Sequence, residues 1–530
     1  MPSPTSEQRL SAAAAEARER PAVVTPLAAI ADSVRGTLAA DPEEVSSRRL
    51  RLLDTLDRRL TLRGYRLEVE PVADGSHEHW RLVSGNGRVR ATADVPVPTP
   101  RLVDDLPDGR LYRALESLVG IRGLIPTPWI TLVEHRAALR DADRKIRCRL
   151  SALSASSDGT GDRCSAVRVD ALKGYEADGD RIAERIFRHY GWSPAAPDPV
   201  AMLAHSLRPK PSGTAYPSAT DPQAPAGAAL RPVLQALLDT VEHRAAGVIA
   251  DIDCEELHEL RVAVRRSRSI LTLLRSGSPE PELDRTRAFL GWLGKVSGPT
   301  RDLDVHILDW RAHRRRAADR AVDLEPLGRY LEAERDKAHA KLVDAFRSRR
   351  FQDGVRRWRR ALDAGDQAWS TTDRERLPIG KLAGRRIRKL YGRVVEEGSA
   401  ITAASPAEAL HALRKTVKKL RYVLEIVRDA YPSKPTTAVL ATLKELQQDL
   451  GEVQDTAVQA EALRRFGVKM GRTGAAGPAT LMAIGALAED LEIRRAVARA
   501  RFDAVFVPVA KRRFGDRLRR LTRSKAGDGK

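Results

Sequence analysis

The sequence predicts two domains of different fold class: an α+β domain built on antiparallel strands, followed by an all-α domain made of two duplicated four-helix bundles. Short segments such as YRLEVEPV, HWRLVSG and WITLVEH alternate apolar and polar residues and are separated by turn-forming DG, NG and Pro signals. Segments further along repeat apolar residues with a helical period instead. Residues of those helices recur at one constant spacing, which indicates duplication.

A stretch rich in Pro, Ala and Ser separates the two domains. It includes RPKPSGTAYPSATDPQAPAGAA, which lacks apolar periodicity and is typical of a linker. We therefore predict a flexible N-terminal extension at residues 1–35, the α+β domain at 36–192, the linker at 193–229 and the all-α domain at 230–530.

The all-α domain repeats with an offset of 153 residues (411 − 258). Three pairs share this offset: His258 and His411, Gly298 and Gly451, and Asp302 and Asp455. Because the three pairs are spread over two predicted helices of each copy, a whole unit is duplicated, at 230–365 and 381–522. Four helices can bury a core as a bundle. The predicted helices are 230–250, 255–276, 283–315 and 325–362 in the first copy, and 381–400, 407–430, 435–466 and 478–522 in the second.

The chain has 92 Lys and Arg against 71 Asp and Glu, a net charge of +21. Such an excess repels itself unless an anion binds, so a polyanionic partner is expected. The alternative is an arginine-rich surface without a specific partner. The three scattered cysteines have no metal-binding spacing and favour a reducing compartment. No signal peptide and no run of about 18 apolar residues is found, so we expect a cytoplasmic protein with no membrane partner.

Two matching segments, LHELRVAVRRSRSILTLLR from Leu257 and LHALRKTVKKLRYVLEIVR from Leu410, each predict a helix with a basic row beside an apolar face. The rows contain His258, Arg261, Arg265 and Arg268 in the first copy, and His411, Arg414, Lys418 and Arg421 in the second, where Lys415 and Lys419 widen the row. Like charges at this spacing cost roughly 0.2–0.5 kcal/mol per pair. We interpret the rows as built for an external anion, the alternative being basic side chains that only cover the core.

The two histidines, one on each basic helix, could bind a metal or a phosphate. A metal site is disfavoured, because one His per helix without an HxxxH pattern or an acidic partner supplies too few ligands. Contact with a phosphate, or orientation of the helix, is favoured instead. We expect no cofactor.

The first basic helix followed by GPTRDLDVHI resembles the CHAD family, the conserved histidine α-helical domain, over roughly Ala229 to Leu521. The resemblance implies two packed four-helix bundles that bind inorganic polyphosphate, and hence association with polyphosphate granules. The second copy departs from the pattern, since Gln454 replaces the residue corresponding to Arg301. The candidate binding residues are His258, Arg261, Arg265, Arg266, Arg268, Arg301, Arg335, His339, Lys341, His411, Arg414, Lys415, Lys418, Lys419 and Arg421.

Nucleic acid is the alternative polyanion. Polyphosphate has charge at every repeat and no bases, whereas a protein that binds single strands uses aromatic side chains to stack bases. Aromatic residues make up only 5% of the chain, and the basic helices carry just Tyr422. Nucleic acid is therefore an unlikely partner that charge alone does not exclude.

The N-terminal part resembles a CYTH domain, the triphosphate-tunnel fold, in LLDTLDRRLTLRGYRLEVEP, HWRLV, WITLVEHRAAL with KIRCRL, and VRVDALKGYEADGDRIAERIFRHYGW. The resemblance implies an antiparallel barrel that cleaves triphosphate with a metal bound by an ExExK motif. That motif is missing near Ala22–Thr25, where its strand is expected, and Glu68 and Glu70 stand where the family has cations. We interpret this domain as degenerate and non-catalytic; the alternative is a triphosphatase acting on chains captured by the helices. Residues that could leave a weakly basic interior are Arg81, Arg136, Arg147, Arg149 and Lys173.

Overall fold

The computed structural model describes residues 38–158, 161–190, 198–207, 218–275, 281–317, 323–365, 369, 372–402 and 404–523. The chain divides into two compact units, Met1–Ser212 and Gly213–Lys530. The predicted extension at 1–35, and with it Ala22–Thr25, lies outside the described residues.

The first unit contains an antiparallel sheet of eight strands. The strands are β1 Ala39–Asp54, β2 Tyr65–Pro71, β3 His77–Ser84, β4 Val89–Pro96, β5 Ile125–Pro126, β6 Ile130–Arg140, β7 Ile146–Ser157 and β8 Arg163–Ala171. Their order is β4-β3-β2-β1-β6-β7-β8, with β5 paired to β1. Within the described residues no ladder joins β4 to β8, so the antiparallel sheet is confirmed while its closure into a barrel stays a prediction.

Helices pack on separate apolar patches of the sheet. Side chains of a strand alternate between its two faces, so each face can present its own apolar surface to a helix. The helices are α1 Arg59–Leu62, α2 Arg110–Val119, α3 Glu176–Tyr190 and α4 Pro199–Leu207. On β2, Leu67 and Val69 belong to the core that includes Leu115 of α2. On β7, Leu150 packs in a second core with Ile186 of α3.

The predicted linker at 193–229 is partly wrong, because α4 and the start of the next helix lie inside it. The segment PVAMLAHSL places Val200 and Leu203 three residues apart, on one face of α4. Both side chains are buried with Leu52 of β1 and Ile130 of β6. Burial of this apolar face explains why a short helix forms within a stretch of linker-like composition.

The second unit is helical: α5 Ala226–Ile249, α6 Cys254–Leu274, α7 Pro281–Val296, α8 Gly298–Ala317, α9 Glu325–Arg347, α10 Arg349–Asp363, α11 Asp373–Arg376, α12 Ile379–Ser399, α13 Ala407–Ile426, α14 Ser433–Arg472, α15 Pro478–Ala510 and α16 Arg512–Thr522. No described helix combines the length and apolar content that a membrane span needs.

Three of the predicted helices are each two helices in the structure. The predicted helix 283–315 is interrupted at Ser297, ahead of Pro299, which lacks the N–H needed to continue a helix. The predicted helix 325–362 is interrupted at Ser348, whose hydroxyl caps α10 by accepting from the Phe351 N–H. The predicted helix 478–522 ends its first segment at Ala510.

The helices of both predicted copies share their cores. The main core contains Leu230 and Leu271 from the first copy together with Leu420 and Leu518 from the second. Where the copies meet, the Ala226 N–H donates to the Leu377 carbonyl and the Ile379 N–H donates to the Ala224 carbonyl, each over 2.9 Å. These donors are separated by 379 − 226 = 153 residues, as are the acceptors, 377 − 224 = 153. Two separate bundles stay a prediction.

Candidate functional site

The basic helices α6 and α13 are folded by their apolar faces. On α6, Asp253 caps the first turn by accepting from the backbone N–H groups of Glu255 and Glu256, over 2.9 and 3.1 Å. Leu260 and Val264 of α6 and Leu413 and Val417 of α13 are buried in the shared core. The basic rows lie beside these apolar faces, and most of their side chains are half-buried; Arg268, Lys415 and Lys419 are exposed.

The structure brings the two basic rows together. Burial is the main cause that lowers the pKa of Lys418 on α13 from 10.5 to about 8. The positive charges of Arg414, of Arg265 on α6 and of Arg421 lower the pKa further, while Asp455 opposes them. Arg266 of α6 pairs with Glu425 of α13 over 3.1 Å, and Arg265 acts on Lys418 across the same two helices. The rows therefore converge in one group, the cationic seam: Arg261, Arg265, Arg414, Lys418 and Arg421.

Arg265 and Lys418 have no direct ion-pair partner among the described residues, although the charge of Asp455 acts on Lys418. Their side chains make no ion pair and no hydrogen bond with any described residue. Lys418 is half-buried among cations, so its charged form is destabilised both by lost hydration and by repulsion. Repulsion between the cations of the seam destabilises the free protein, and the same positive charge attracts an anion that binds there.

Arg261 is held by neutral acceptors. Its Nη1 donates to the Gly294 carbonyl over 2.7 Å and to the Ser297 Oγ over 2.6 Å. Burial lowers its pKa, and the neighbouring charges of Arg265 and Arg301 lower it further. These neutral contacts orient the guanidinium, while the charge of Asp302 partly opposes the lowering of the Arg261 pKa.

Arg414 occupies the corresponding position in the second half and is held by a carboxylate. Its Nη2 donates to both oxygens of Asp455, over 2.9 and 3.2 Å. A Cβ placed at Gly451 would lie 3.7 Å from the same Nη2. At Gly298, 153 residues earlier, a Cβ would lie 3.8 Å from the Arg261 Nη1. A glycine thus lies beside each of the two arginines.

The surroundings of the two histidines differ, and the expectation that no acidic partner stands nearby is wrong for His258. Ligand atoms of Glu255, His258 and Glu259 all lie within 4.8 Å of one another, because their spacing places them on one face of α6. Burial lowers the His258 pKa, although the two carboxylates oppose the shift. His411 has a buried Nδ1 that makes no hydrogen bond with the described residues.

The other predicted residues divide into three sets. Arg266 and Arg421 share the carboxylate of Glu425, over 3.1 and 2.8 Å. The side chains of a second set bond to acceptors outside the cationic seam, although Arg301 still acts on Arg261 through its charge. These contacts are Arg301 with the Cys254 carbonyl, Arg335 with Asp251 and Asp304, and His339 with the Val248 carbonyl. The third set is exposed: Arg268, Lys341, Lys415 and Lys419.

Several partners of the predicted residues were missed by sequence reasoning. Ser297 and Glu425 hold cations of both rows, and Asp251 accepts from Arg335 over 2.5 Å. A signal existed only for Glu425, which follows Arg421 by four residues and therefore lies on the same helix face. Ser297 and Asp251 are brought to their partners by tertiary packing.

The charged face of the sheet is neutral rather than basic. Glu68 and Glu70 of β2 lie with Arg81 of β3, which donates to them over 2.8 and 2.5 Å. The Arg48 side chain joins the same network. Of the predicted interior cations, Arg81, Arg136, Arg147 and Arg149 each have a carboxylate partner, and Lys173 is exposed. The structure thus favours ordinary paired charges over a weakly basic interior, because nearby carboxylates compensate the four arginines.

The helices that form the cationic seam lie in a part of the chain that matches a known protein family. Residues 232–464 match the family described as CHAD domain. This part of the chain is a CHAD domain. The matched residues include both basic helices and end inside α14, before α15 and α16.

Two curated relatives of the CHAD-containing chain are the uncharacterized proteins MT2285 and Rv2226 of Mycobacterium tuberculosis, strains CDC 1551 / Oshkosh and ATCC 25618 / H37Rv. Each is 30% identical over 224 residues, which cover 39% of this chain and 40% of the relative. The match therefore spans less than half the length of these relatives.

Two solved structures are also similar. The CHAD domain from the plant Ricinus communis has 24% identity and a TM-score of 0.47, covering 56% of this chain and 97% of that one. PptA from Streptomyces chartreusis has 20% identity and a TM-score of 0.41, covering 54% of this chain and 100% of that one.

Proposed function

We propose that the CHAD domain of this protein binds inorganic polyphosphate at the cationic seam and does not change it chemically. The supporting observation is the pair Arg265 on α6 and Lys418 on α13, which lie close enough to repel each other and make no ion pair with a described residue. Polyphosphate supplies closely spaced negative charges and no bases. A row of cations advances about 5.4 Å per helical turn, so successive turns can contact successive parts of one chain.

The proposal extends to the location and to the first unit. A protein that binds polyphosphate in this way would gather at polyphosphate granules. The sheet is proposed to be a non-catalytic scaffold, because metal-dependent phosphoryl chemistry needs clustered carboxylates to hold the ions. The carboxylates of Glu68 and Glu70 are instead paired with Arg48, Arg66 and Arg81.

The test compares two charge-reversal variants of the full chain. We expect Arg265→Glu combined with Lys418→Glu to abolish binding of long polyphosphate, because repulsion replaces attraction at the centre of the seam. The control is Arg285→Glu combined with Arg347→Glu, an equal charge change on exposed parts of α7 and α9. Binding is measured by titration, helix content by circular dichroism, and phosphate release with Mg²⁺ in parallel.

Three outcomes contradict the proposal. Binding that survives in the seam variant, or falls equally in the control, removes the seam as the site. Equal or tighter binding of duplex DNA at the same salt concentration makes the protein a general polyanion binder. Phosphate release by the wild-type chain that disappears in Glu68→Gln establishes an enzyme instead.

A further inference from the structure

A second basic surface lies between α12 and α16, which are packed closely against each other. A Cβ placed at Gly515 of α16 would lie 3.0 Å from the Tyr391 Oη of α12, and the Arg388 Nη1 donates to the Thr522 carbonyl over 3.1 Å. A Cβ at Gly384 of α12 would lie 3.0 Å from the Thr522 carbonyl oxygen. The early part of α12 therefore meets the end of α16, and the two helices run antiparallel.

Each helix contributes a basic row beside this contact. We name this surface the α12–α16 face. It consists of Lys381, Arg385 and Arg388 on α12, and of Arg512, Arg519 and Arg523 on or just after α16. All six side chains are exposed. The spacings of three, four and seven residues place each row on one side of its helix. Arg388, which bonds to Thr522, places the α12 row beside the end of α16.

Little negative charge compensates this face. Asp516 is the acidic residue of α16, and its pKa is lowered by a hydrogen bond from Arg519 and by the charges of Arg512 and Arg520. On α12 the acidic residues are Glu396 and Glu397, at the opposite end of the helix from Lys381. Counting only the described residues of α12 and α16, the face therefore has six cations for one nearby carboxylate.

We infer that the α12–α16 face is a second contact surface for the same polyphosphate chain, separate from the cationic seam. The inference rests on the proposed function of the seam. Guanidinium groups form paired hydrogen bonds with phosphate oxygens, and five of the six cations are arginines. A chain long enough to reach both surfaces gains affinity from the second contact, whereas a chain that fills only one surface does not.

The test separates chain lengths. The variant is Arg385→Gln, Arg519→Gln and Arg523→Gln, which retains Arg388 because that side chain joins the two helices. The matched control is Arg285→Gln, Arg347→Gln and Arg472→Gln, which removes the same charge from exposed positions on other helices. Affinities for short and long polyphosphate are titrated at several salt concentrations.

We expect the variant to bind long polyphosphate about tenfold more weakly than the control, and short polyphosphate equally well. The slope of log affinity against log salt for the long chain should become shallower by roughly one for each arginine that no longer neutralises a phosphate. Equal affinity of variant and control for both lengths overturns the inference, as does a selective loss of duplex DNA binding.

The same titrations distinguish this failure from failure of the proposed function. If the seam variant Arg265→Glu with Lys418→Glu loses short polyphosphate while the α12–α16 variant matches its control, only the second surface is wrong. If the seam variant still binds short polyphosphate, the proposed function itself is wrong.

Discussion

The two halves of the helical unit differ in the secondary structure of one pair of corresponding segments. In the first half, residues 281–317 form α7 and α8, interrupted at Ser297. In the second half the corresponding residues form α14, a single helix of 40 residues. The difference follows from Pro299, since the residue at the corresponding position in the second half is Glu452, which donates a backbone N–H and continues the helix.

This interruption changes what the seam arginines contact. Near the interruption at Ser297, Arg261 donates hydrogen bonds to two neutral acceptors, the Gly294 carbonyl and the Ser297 hydroxyl. Beside the continuous helix, Arg414 bonds to the Asp455 carboxylate. Equivalent arginines thus bond to neutral acceptors in one half and to a carboxylate in the other. The comparison teaches that an interruption of one helix can change the hydrogen-bond acceptors available to a side chain on its neighbour.

The largest effect is expected from moving the proline into the second half. Glu452→Pro should destabilise the protein by about 3 kcal/mol or more, because it removes a hydrogen bond and creates a clash inside a continuous helix. Chemical denaturation measures the change. The control is Glu452→Ala, which removes the ion pair with Arg501 and should cost no more than about 1 kcal/mol. Equal costs for both substitutions would show that α14 does not need to be continuous.

A smaller difference is expected between the two equivalent arginines. Arg261→Met leaves the Gly294 carbonyl without this donor and removes a hydrogen bond from Ser297, which is fully buried, so it should cost about 1–3 kcal/mol. Arg414→Met removes an ion pair to Asp455, whose side chain is 58% exposed, and should cost less than about 1 kcal/mol. Both variants remove one positive charge from the seam. The difference between their free energies of unfolding, measured by chemical denaturation, therefore reports the difference between the acceptors of the two arginines. An equal loss of stability in both variants contradicts the comparison.

The basic rows themselves could be predicted from the sequence, because local spacing decides which side chains share a helix face. The repeat offset placed Arg261 and Arg414 at equivalent positions, and the structure shows both beside glycines of the following helices. Their convergence on one seam was implied only through the family resemblance. The linker-like composition around Pro199 concealed α4, whose burial depends on β1 and β6.

The partners of individual arginines could not be predicted. Arg261 bonds to Ser297, 36 residues away, and Arg335 bonds to Asp251, 84 residues away. Such contacts depend on how helices pack, whereas the sequence pattern reports only neighbours on one helix. The family resemblance made Arg335 an anion-binding candidate, although in the structure two carboxylates already bind it.

The smallest effect should come from pH, through Lys418. Its pKa of about 8 in the free protein will rise when a polyanion binds nearby, so binding takes up a proton above that pH. Affinity for polyphosphate should therefore be full below pH 8 and fall as the pH rises through it, by up to about tenfold per unit of pKa difference. Titrations across this range should show the fall in the wild-type chain and a flat profile in Lys418→Arg, which stays charged throughout.

The stability of the free protein should change in the opposite direction. The folded pKa of Lys418 lies below its ordinary value of 10.5, so the unfolded chain binds more protons between the two values. The free energy of unfolding contributed by this group therefore rises with pH from about 8 towards 10.5, while the binding affinity falls over the same window. Asp455→Asn sharpens the test, because Asp455 raises the Lys418 pKa and its removal should move both changes to lower pH. A wild-type binding profile as flat as that of Lys418→Arg would mean that Lys418 keeps its charge throughout this pH range. The Lys418 side chain would then be better hydrated, and less repelled by the neighbouring arginines, than its burial indicates.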